Sequence, residues 1–208
     1  MDRKTIIFDC GGVLVLPQTV QSREQMAVRC RLPIEVFERR YREHRLAYDK
    51  GTLTADQYWR RVSTLRGLSK QEVSRLVEED YRSWSRINHE TLIVVRRLAD
   101  MRNCEGSPIK LALLSNMPAE MAVHFRREMG WFELFDLILF SCDLGMIKPE
   151  PEIYRYCLSR LDSNPGSALF IDDSQENVDG AVAVGIRGVL FRDFSPRVLM
   201  DKLSLRFT

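Results

Sequence analysis

An α/β fold, with an open parallel sheet and an inserted all-helical block, is what this 208-residue sequence predicts, and three observations carry the expectation. Residues 5–8, 109–114, 137–140, 168–171 and 188–191 form short, nearly continuous apolar runs, each too short for a helix. Segments with helical spacing, 117–129, 151–161 and 177–184, lie between the later runs. Residues 16–89, by contrast, are rich in Arg, Glu and Gln and hold no strand-like run.

Each element has a local reason. Unbroken rather than alternating apolarity belongs to strands covered on both faces, hence to a parallel sheet between helices. Strand and helix in alternation define the open α/β class. The helical block divides into pieces near 21–30, 34–50, 54–66 and 70–85. Pro33 stands where a helix can begin, Gly51 where one can end, and Thr54 and Ser69 suit N-caps. A further helix at 90–101 returns the chain to the sheet. The expected organisation is an α/β core from residues 1–15 and 90–208, with a separate helical domain from 16–89.

Composition narrows the function classes. With 31 Lys+Arg against 29 Asp+Glu the formal net charge is +2, so no whole-molecule field attracts nucleic acid. No apolar run approaches the roughly 18 residues of a membrane span, and the run before Asp9 is too short for a signal peptide. The five cysteines, at positions 10, 30, 104, 142 and 157, form no CxxC pair and are odd in number. That argues against a disulfide framework or zinc site and for a reducing, cytoplasmic setting.

Ligands of open α/β sheets bind beyond the carboxyl ends of the strands. The polar residues that end the apolar runs are therefore the candidates: Asp9-Cys10-Gly11-Gly12, Ser115-Asn116, Ser141-Cys142-Asp143 and Asp172-Asp173-Ser174, with Lys148-Pro149 in the loop after the third. Singly, each is an ordinary turn or cap. Asp9, Asp172, Asp173, Ser115, Asn116 and Lys148 bring three carboxylates, a hydroxyl, an amide and a lysine to one sheet edge, and crowded carboxylates call for a cation.

The stretches Ile7-Phe8-Asp9-Cys10-Gly11-Gly12-Val13-Leu14, Leu113-Leu114-Ser115-Asn116, Lys148-Pro149-Glu150-Pro151 and Phe170-Ile171-Asp172-Asp173-Ser174 with Asn177 resemble, in order, the four motifs of the haloacid dehalogenase-like (HAD) hydrolase superfamily. The resemblance spans nearly the whole chain and is to the subfamily with a helical cap after the first motif. It implies a Rossmann-like core and a Mg²⁺-dependent phosphatase acting on a small phosphorylated metabolite such as a sugar phosphate. Asp9 would be the nucleophile that forms an aspartyl-phosphate, and Lys148 its positive partner. Ser115, Asn116 and nearby backbone N–H groups would hold the phosphoryl oxygens. Asp9, the backbone carbonyl of Gly11, Asp172 and Asp173 would hold Mg²⁺, and Asn177 would anchor Lys148 or its loop.

One position departs from the family pattern. Most family phosphatases carry an acid–base Asp two residues after the nucleophile, where this chain has Gly11. Glycine offers a carbonyl to a metal but moves no proton, and positioned proton transfer is typically worth about 10²–10⁴-fold. Three readings follow: a phosphatase similar to the glucose-1-phosphate phosphatase branch, which also has glycine there; a catalytically impaired fold kept for binding or regulation; and a metal-independent 2-haloacid dehalogenase using a cap arginine such as Arg45. Arg45, Tyr48 and Lys50 are candidates for substrate recognition, and His44 for a substitute acid. Trp59, Trp84 and Trp131 read as core or domain-interface area, and Cys10 as a buried filler.

Overall fold

The computed structural model describes residues 4–63, 67–103, 109–192 and 196–203. In chain order the elements are β1 (Lys4–Phe8), α1 (Val20–Arg29), α2 (Ile34–Glu43), α3 (Arg45–Asp49), α4 (Ala55–Val62), α5 (Lys70–Ser83), α6 (His89–Asn103), β2 (Ile109–Ser115), α7 (Ala119–Glu128), β3 (Leu137–Phe140), α8 (Ser141–Leu144), α9 (Pro151–Arg160), β4 (Ala168–Asp172), α10 (Gln175–Ala183), β5 (Arg187–Leu190) and α11 (Pro196–Lys202). All five apolar runs are strands, and they form one sheet of order β3-β2-β1-β4-β5. Every pairing is parallel, with Ile7 of β1 opposite Ala112 of β2 and Phe170 of β4. This is the expected Rossmann-like α/β architecture.

Both faces of the sheet are covered, which explains the unbroken apolar runs. Ile6, Phe8, Leu111, Leu113, Leu169 and Ile171 face a core completed by α6, α7 and α11. Ile7, Ala112, Leu114, Ala168 and Phe170 face the opposite core, closed by α9 and α10. Successive strand residues thus enter different cores, as the two-residue period requires.

Helices α1 to α5 gather around an apolar centre of their own, in which Met26, Phe37, Tyr48, Tyr58, Trp59 and Leu76 are buried. Thr54 and Ser69 each close a capping box, with Gln57 and Glu72 respectively. Gly51, at φ +80°, turns the chain after α3. The segment expected as one helix over 34–50 is broken at His44, whose φ of −112° and ψ of 4° leave the helical region. Just after the break, Arg45 pairs with the buried Asp80. The third piece, expected over 54–66, ends at Val62, and its continuation through Thr64, Leu65 and Arg66 lies outside the described residues, as does Cys104. Cys10, Cys30, Cys142 and Cys157 are free thiols. No helix among the described residues is long and apolar enough to cross a membrane.

Candidate active site

The strand order reverses between β1 and β4, and at that point an α/β sheet opens a crevice beyond its carboxyl edge. Asp9 follows β1 there, and Asp172 ends β4. The Asp9 N–H donates to the Ile171 carbonyl at 2.9 Å, continuing the ladder past the strand, before Val13, Leu14 and Val15 all turn back onto the Cys10 carbonyl. The Asp9 carboxylate is therefore held by sheet geometry rather than by a loose loop.

Lys148 arrives from the loop between α8 and α9 and is 1% exposed. Its Nζ lies 2.7 Å from Asp9 Oδ1 and 2.7 Å from Asp172 Oδ2. Asn116 fixes that loop: its Nδ2 donates to the Lys148 carbonyl and its Oδ1 accepts from the Lys148 N–H, both at 2.9 Å. The Asn116 side chain thus holds the lysine backbone, a use the sequence reading had not assigned to it. Asn177, expected near Lys148, instead donates to both oxygens of Asp172 at 3.1 Å. The Ser174 N–H adds a further bond to Asp172 Oδ1 at 2.8 Å. Asp172 is fully buried and multiply bonded, so it orients Lys148.

Asp173 turns outward and rests on Gly12. A Cβ at Gly12 would lie 2.1 Å from Asp173 Oδ2, and the φ of +73° there disfavours a side chain as well. One carboxylate oxygen from each of Asp9, Asp172 and Asp173 lies within 4.8 Å of the others. Such an all-oxygen set beside a glycine cradle fits a hard divalent cation. Burial pushes the Asp9 carboxyl up to about 7; Lys148 opposes the rise and Asp172 and Asp173 add to it. Burial, then Asp172, likewise raise Asp173. For Lys148 burial disfavours the ammonium, but Asp172 and Asp9 outweigh it and the pKa rises.

These groups open onto a cavity of about 210 Å³ that also includes Gly11, Ser115 and Asn116. The helical block supplies the facing wall with Tyr41, Arg45, Asp49 and Trp84. Arg45 donates to Asp49 at 2.7 Å and to Asp80 at 2.9 Å, and it also bonds the Tyr41 hydroxyl. The Tyr41 hydroxyl donates to Asp80 at 2.6 Å. Burial pushes the Asp49 carboxyl up to about 6 against the pull of Arg45. Of the three recognition candidates, only Arg45 lines the cavity. Tyr48 donates to Glu120 and Lys50 to Glu150, both between the helical block and the sheet side. Asp143 pairs with Arg126 on the surface, and Cys10 is buried, its thiol pushed up by burial and then by Asp9.

Trp59 and Trp131 are buried core residues, and Trp84 takes the interface alternative, packing on the sheet-side core and facing the cavity. Tyr41, Met117, Met121 and Phe125 also line it, and the sequence does not single them out. Their helical spacing marks a buried stripe without saying what it borders.

Residues 3–185 match the family model of the haloacid dehalogenase-like hydrolases. The chain belongs to this family. A sesquiterpene phosphatase of Aspergillus oryzae is 26% identical over 196 residues, covering 91% of this hydrolase and 90% of the relative. Among solved structures, a HAD family enzyme of Bacteroides thetaiotaomicron, crystallised with magnesium and inorganic phosphate, is similar at TM-score 0.67 and 20% identity, over 91% of this chain and 94% of that one. The L-2-haloacid dehalogenase of Xanthobacter autotrophicus reaches the same TM-score of 0.67 at 21% identity, over 98% and 83% of the two chains. Likeness of fold therefore does not separate the two chemistries, and the decision falls to this hydrolase's own side chains.

Proposed function

We propose that this hydrolase is a Mg²⁺-dependent phosphatase of a small phosphorylated metabolite, working in the cytoplasm. The observation that carries the reading is the buried Asp9–Lys148–Asp172 array with Asp173 beside it at the strand switch point. A dehalogenase needs a nucleophile and a carboxylate-binding cation, but no such crowd of acids. Its cap arginine would here be Arg45, which two buried carboxylates already neutralise.

In the proposed reaction an Asp9 carboxylate oxygen bonds to phosphorus as the ester P–O bond breaks. Water then attacks the same phosphorus, frees Asp9 and yields inorganic phosphate, so one hard displacement becomes two easier ones. Lys148 keeps Asp9 ionised and oriented. Ser115 and the backbone N–H groups after β2 hold phosphoryl oxygens, while Asn116 contributes by fixing the Lys148 loop. Asp9, Asp173 and the Gly11 carbonyl, with Asp172 adjoining, would hold Mg²⁺, whose charge would offset the repulsion between anionic nucleophile and anionic substrate. Residues 16–89 act as the cap that closes this site from water.

A second reading, a binding or regulatory protein with impaired catalysis, draws on the glycine at position 11. The two separate in one assay, phosphate release from acetyl phosphate and p-nitrophenyl phosphate with and without Mg²⁺. The phosphatase reading expects metal-dependent turnover that Asp9→Asn abolishes. Mg²⁺ binding without turnover of either compound would leave the binding role standing.

A further inference from the structure

Resting on the phosphatase reading, we infer that the cavity is built for a phosphate monoester of a single aromatic ring, seated on Trp84, rather than for a sugar phosphate. The observation that carries this is what stands in place of the missing acid. A Cβ at Gly11 would meet three atoms of the six-membered ring of Trp84, at 3.4, 3.8 and 3.9 Å. The side of the nucleophile where a carboxylic acid would reach the leaving oxygen is thus covered by a flat apolar surface. The Trp84 Nε1 lies 3.5 Å from the Tyr41 hydroxyl, which fixes the indole toward the helical block.

The surroundings are of the same character. Val15, Met117, Met121 and Phe125 line the cavity with Trp84, and they belong to or pack on the apolar core beneath it. Thioether and ring edges of this kind are good partners for an aromatic ring. The polar groups on the facing wall have their hydrogen bonds within the protein: Arg45 to Asp49 and Asp80, and Tyr41 to Asp80. A sugar would set its hydroxyls against apolar atoms and against groups already engaged, whereas a ring would meet what it prefers. Size agrees, because an apolar cavity of about 150 Å³ accommodates benzene. The 210 Å³ present here therefore holds one ring with its phosphoryl group.

Leaving-group chemistry points independently to the same class. A phenol ionises near pH 10, as tyrosine does, whereas an alkyl alcohol lies much closer to the roughly 15.7 of water. When the P–O bond breaks, an aryl oxide can depart as the anion and take its proton from solvent afterwards. An alkoxide needs a proton during the step, and glycine cannot provide one. The lack of an acid at position 11 and the indole beside it thus favour one substrate class, the Asp49 carboxyl on the facing wall being held by Arg45.

The test measures competition against acetyl phosphate turnover by the full-length protein with Mg²⁺. Phenylphosphonate, which has a ring but no ester to cleave, should inhibit at least about tenfold more tightly than methylphosphonate, a difference of about 1.4 kcal/mol. Phenyl phosphate should exceed cyclohexyl phosphate and glucose 6-phosphate in kcat/KM by roughly a hundredfold or more, the scale of a missing acid. Trp84→Ala should lower the ratio of phenyl phosphate to acetyl phosphate turnover at least about tenfold, and Trp84→Phe should recover part of it. Equal inhibition by the two phosphonates overturns the ring site while leaving the phosphatase intact, and that comparison needs no variant to fold. No turnover of acetyl phosphate overturns the phosphatase reading, and this inference with it.

Discussion

The two walls of the cavity are built on different principles. On the sheet side, Asp9, Lys148 and Asp172 are charged, buried and tied to strand ends, so their positions follow from the parallel ladder and from the Asn116 clasp. On the helical side Arg45, Asp49 and Asp80 are also buried and pair with one another, and Tyr41, Arg45, Asp49 and Trp84 face the cavity opposite Met117, Met121 and Phe125 of the sheet side. On the proposed mechanism one wall directs its charge at the reaction, while the charges of the other pair among themselves. The chemistry of the family can therefore stay fixed while helices change the substrate, because no reacting charge has to come from them.

Lys148→Met should separate the walls most sharply. Removing the cation leaves Asp9 and Asp172 buried without their partner, and breaking a buried pair typically costs about 3–5 kcal/mol. Urea denaturation without metal should show a loss of that order, partly recovered by Mg²⁺, and turnover of acetyl phosphate should fall by roughly 10²–10³-fold, the scale for one lost electrostatic donor. A variant as stable as the parent in metal-free buffer would mean that Lys148 is not what holds these carboxylates.

Arg45→Met applies the same operation to the other wall. Asp49 and Asp80 lose their shared cation, and a cost approaching about 3 kcal/mol is expected. Here the location of the damage is the informative quantity. Hydrogen exchange should quicken in α2, α3 and α5 while amides of β1, β2 and β4 keep their protection, because the block has an apolar core of its own. Loss of protection throughout the sheet would show that the two regions unfold as one.

The same contrast decides what could be read from the sequence. The strands were legible because burial on both faces leaves uninterrupted apolar runs, and Asp9, Ser115, Lys148 and Asp172 because the topology brings all strand ends to one edge. The helical wall was not. Tyr41, Arg45 and Asp49 follow four-residue steps, but the break at His44, which no proline or glycine announces, decides where Arg45 and Asp49 point. Trp84 reads as core area because an indole on a helix is usually that; its role depends on Gly11, far away in sequence. The sequence places Asn116 at this edge but does not announce its bonds to the Lys148 backbone, since an amide can serve a backbone as readily as a phosphate.

A smaller effect concerns pH on the sheet wall. Burial raises the Asp9 carboxyl from 3.8 in the unfolded chain to about 7 in the metal-free fold. Between those values the folded protein binds more protons than the unfolded one, so stability falls as pH rises through the interval. Mg²⁺ competes with that proton. Its stabilisation should be slight near about pH 5 and grow towards about pH 8, reaching roughly 2.7 kcal/mol at a hundredfold excess over Kd. Thermal melts with and without Mg²⁺ across pH check this, and a pH-independent gain would mean that Asp9 is not among the ligands.

The smallest expected effect lies where the two walls are joined. Lys50, just after α3, places its Nζ 2.7 and 2.8 Å from the two oxygens of Glu150, two residues beyond Lys148. Both side chains are partly exposed, at 29% and 42%, so solvent and salt screen the pair. A coupling of only about 0.2–1 kcal/mol is expected from a double-mutant cycle of Lys50→Met and Glu150→Gln, shrinking further at high salt. Its consequence for turnover can exceed its consequence for stability, because the contact links the turn after α3 directly to the loop that carries Lys148. If the cap opens during each cycle, weakening this link should leave the denaturation midpoint nearly unchanged while raising KM for acetyl phosphate. An unchanged KM would mean that the buried contacts between the walls, not this ion pair, set how often the site opens.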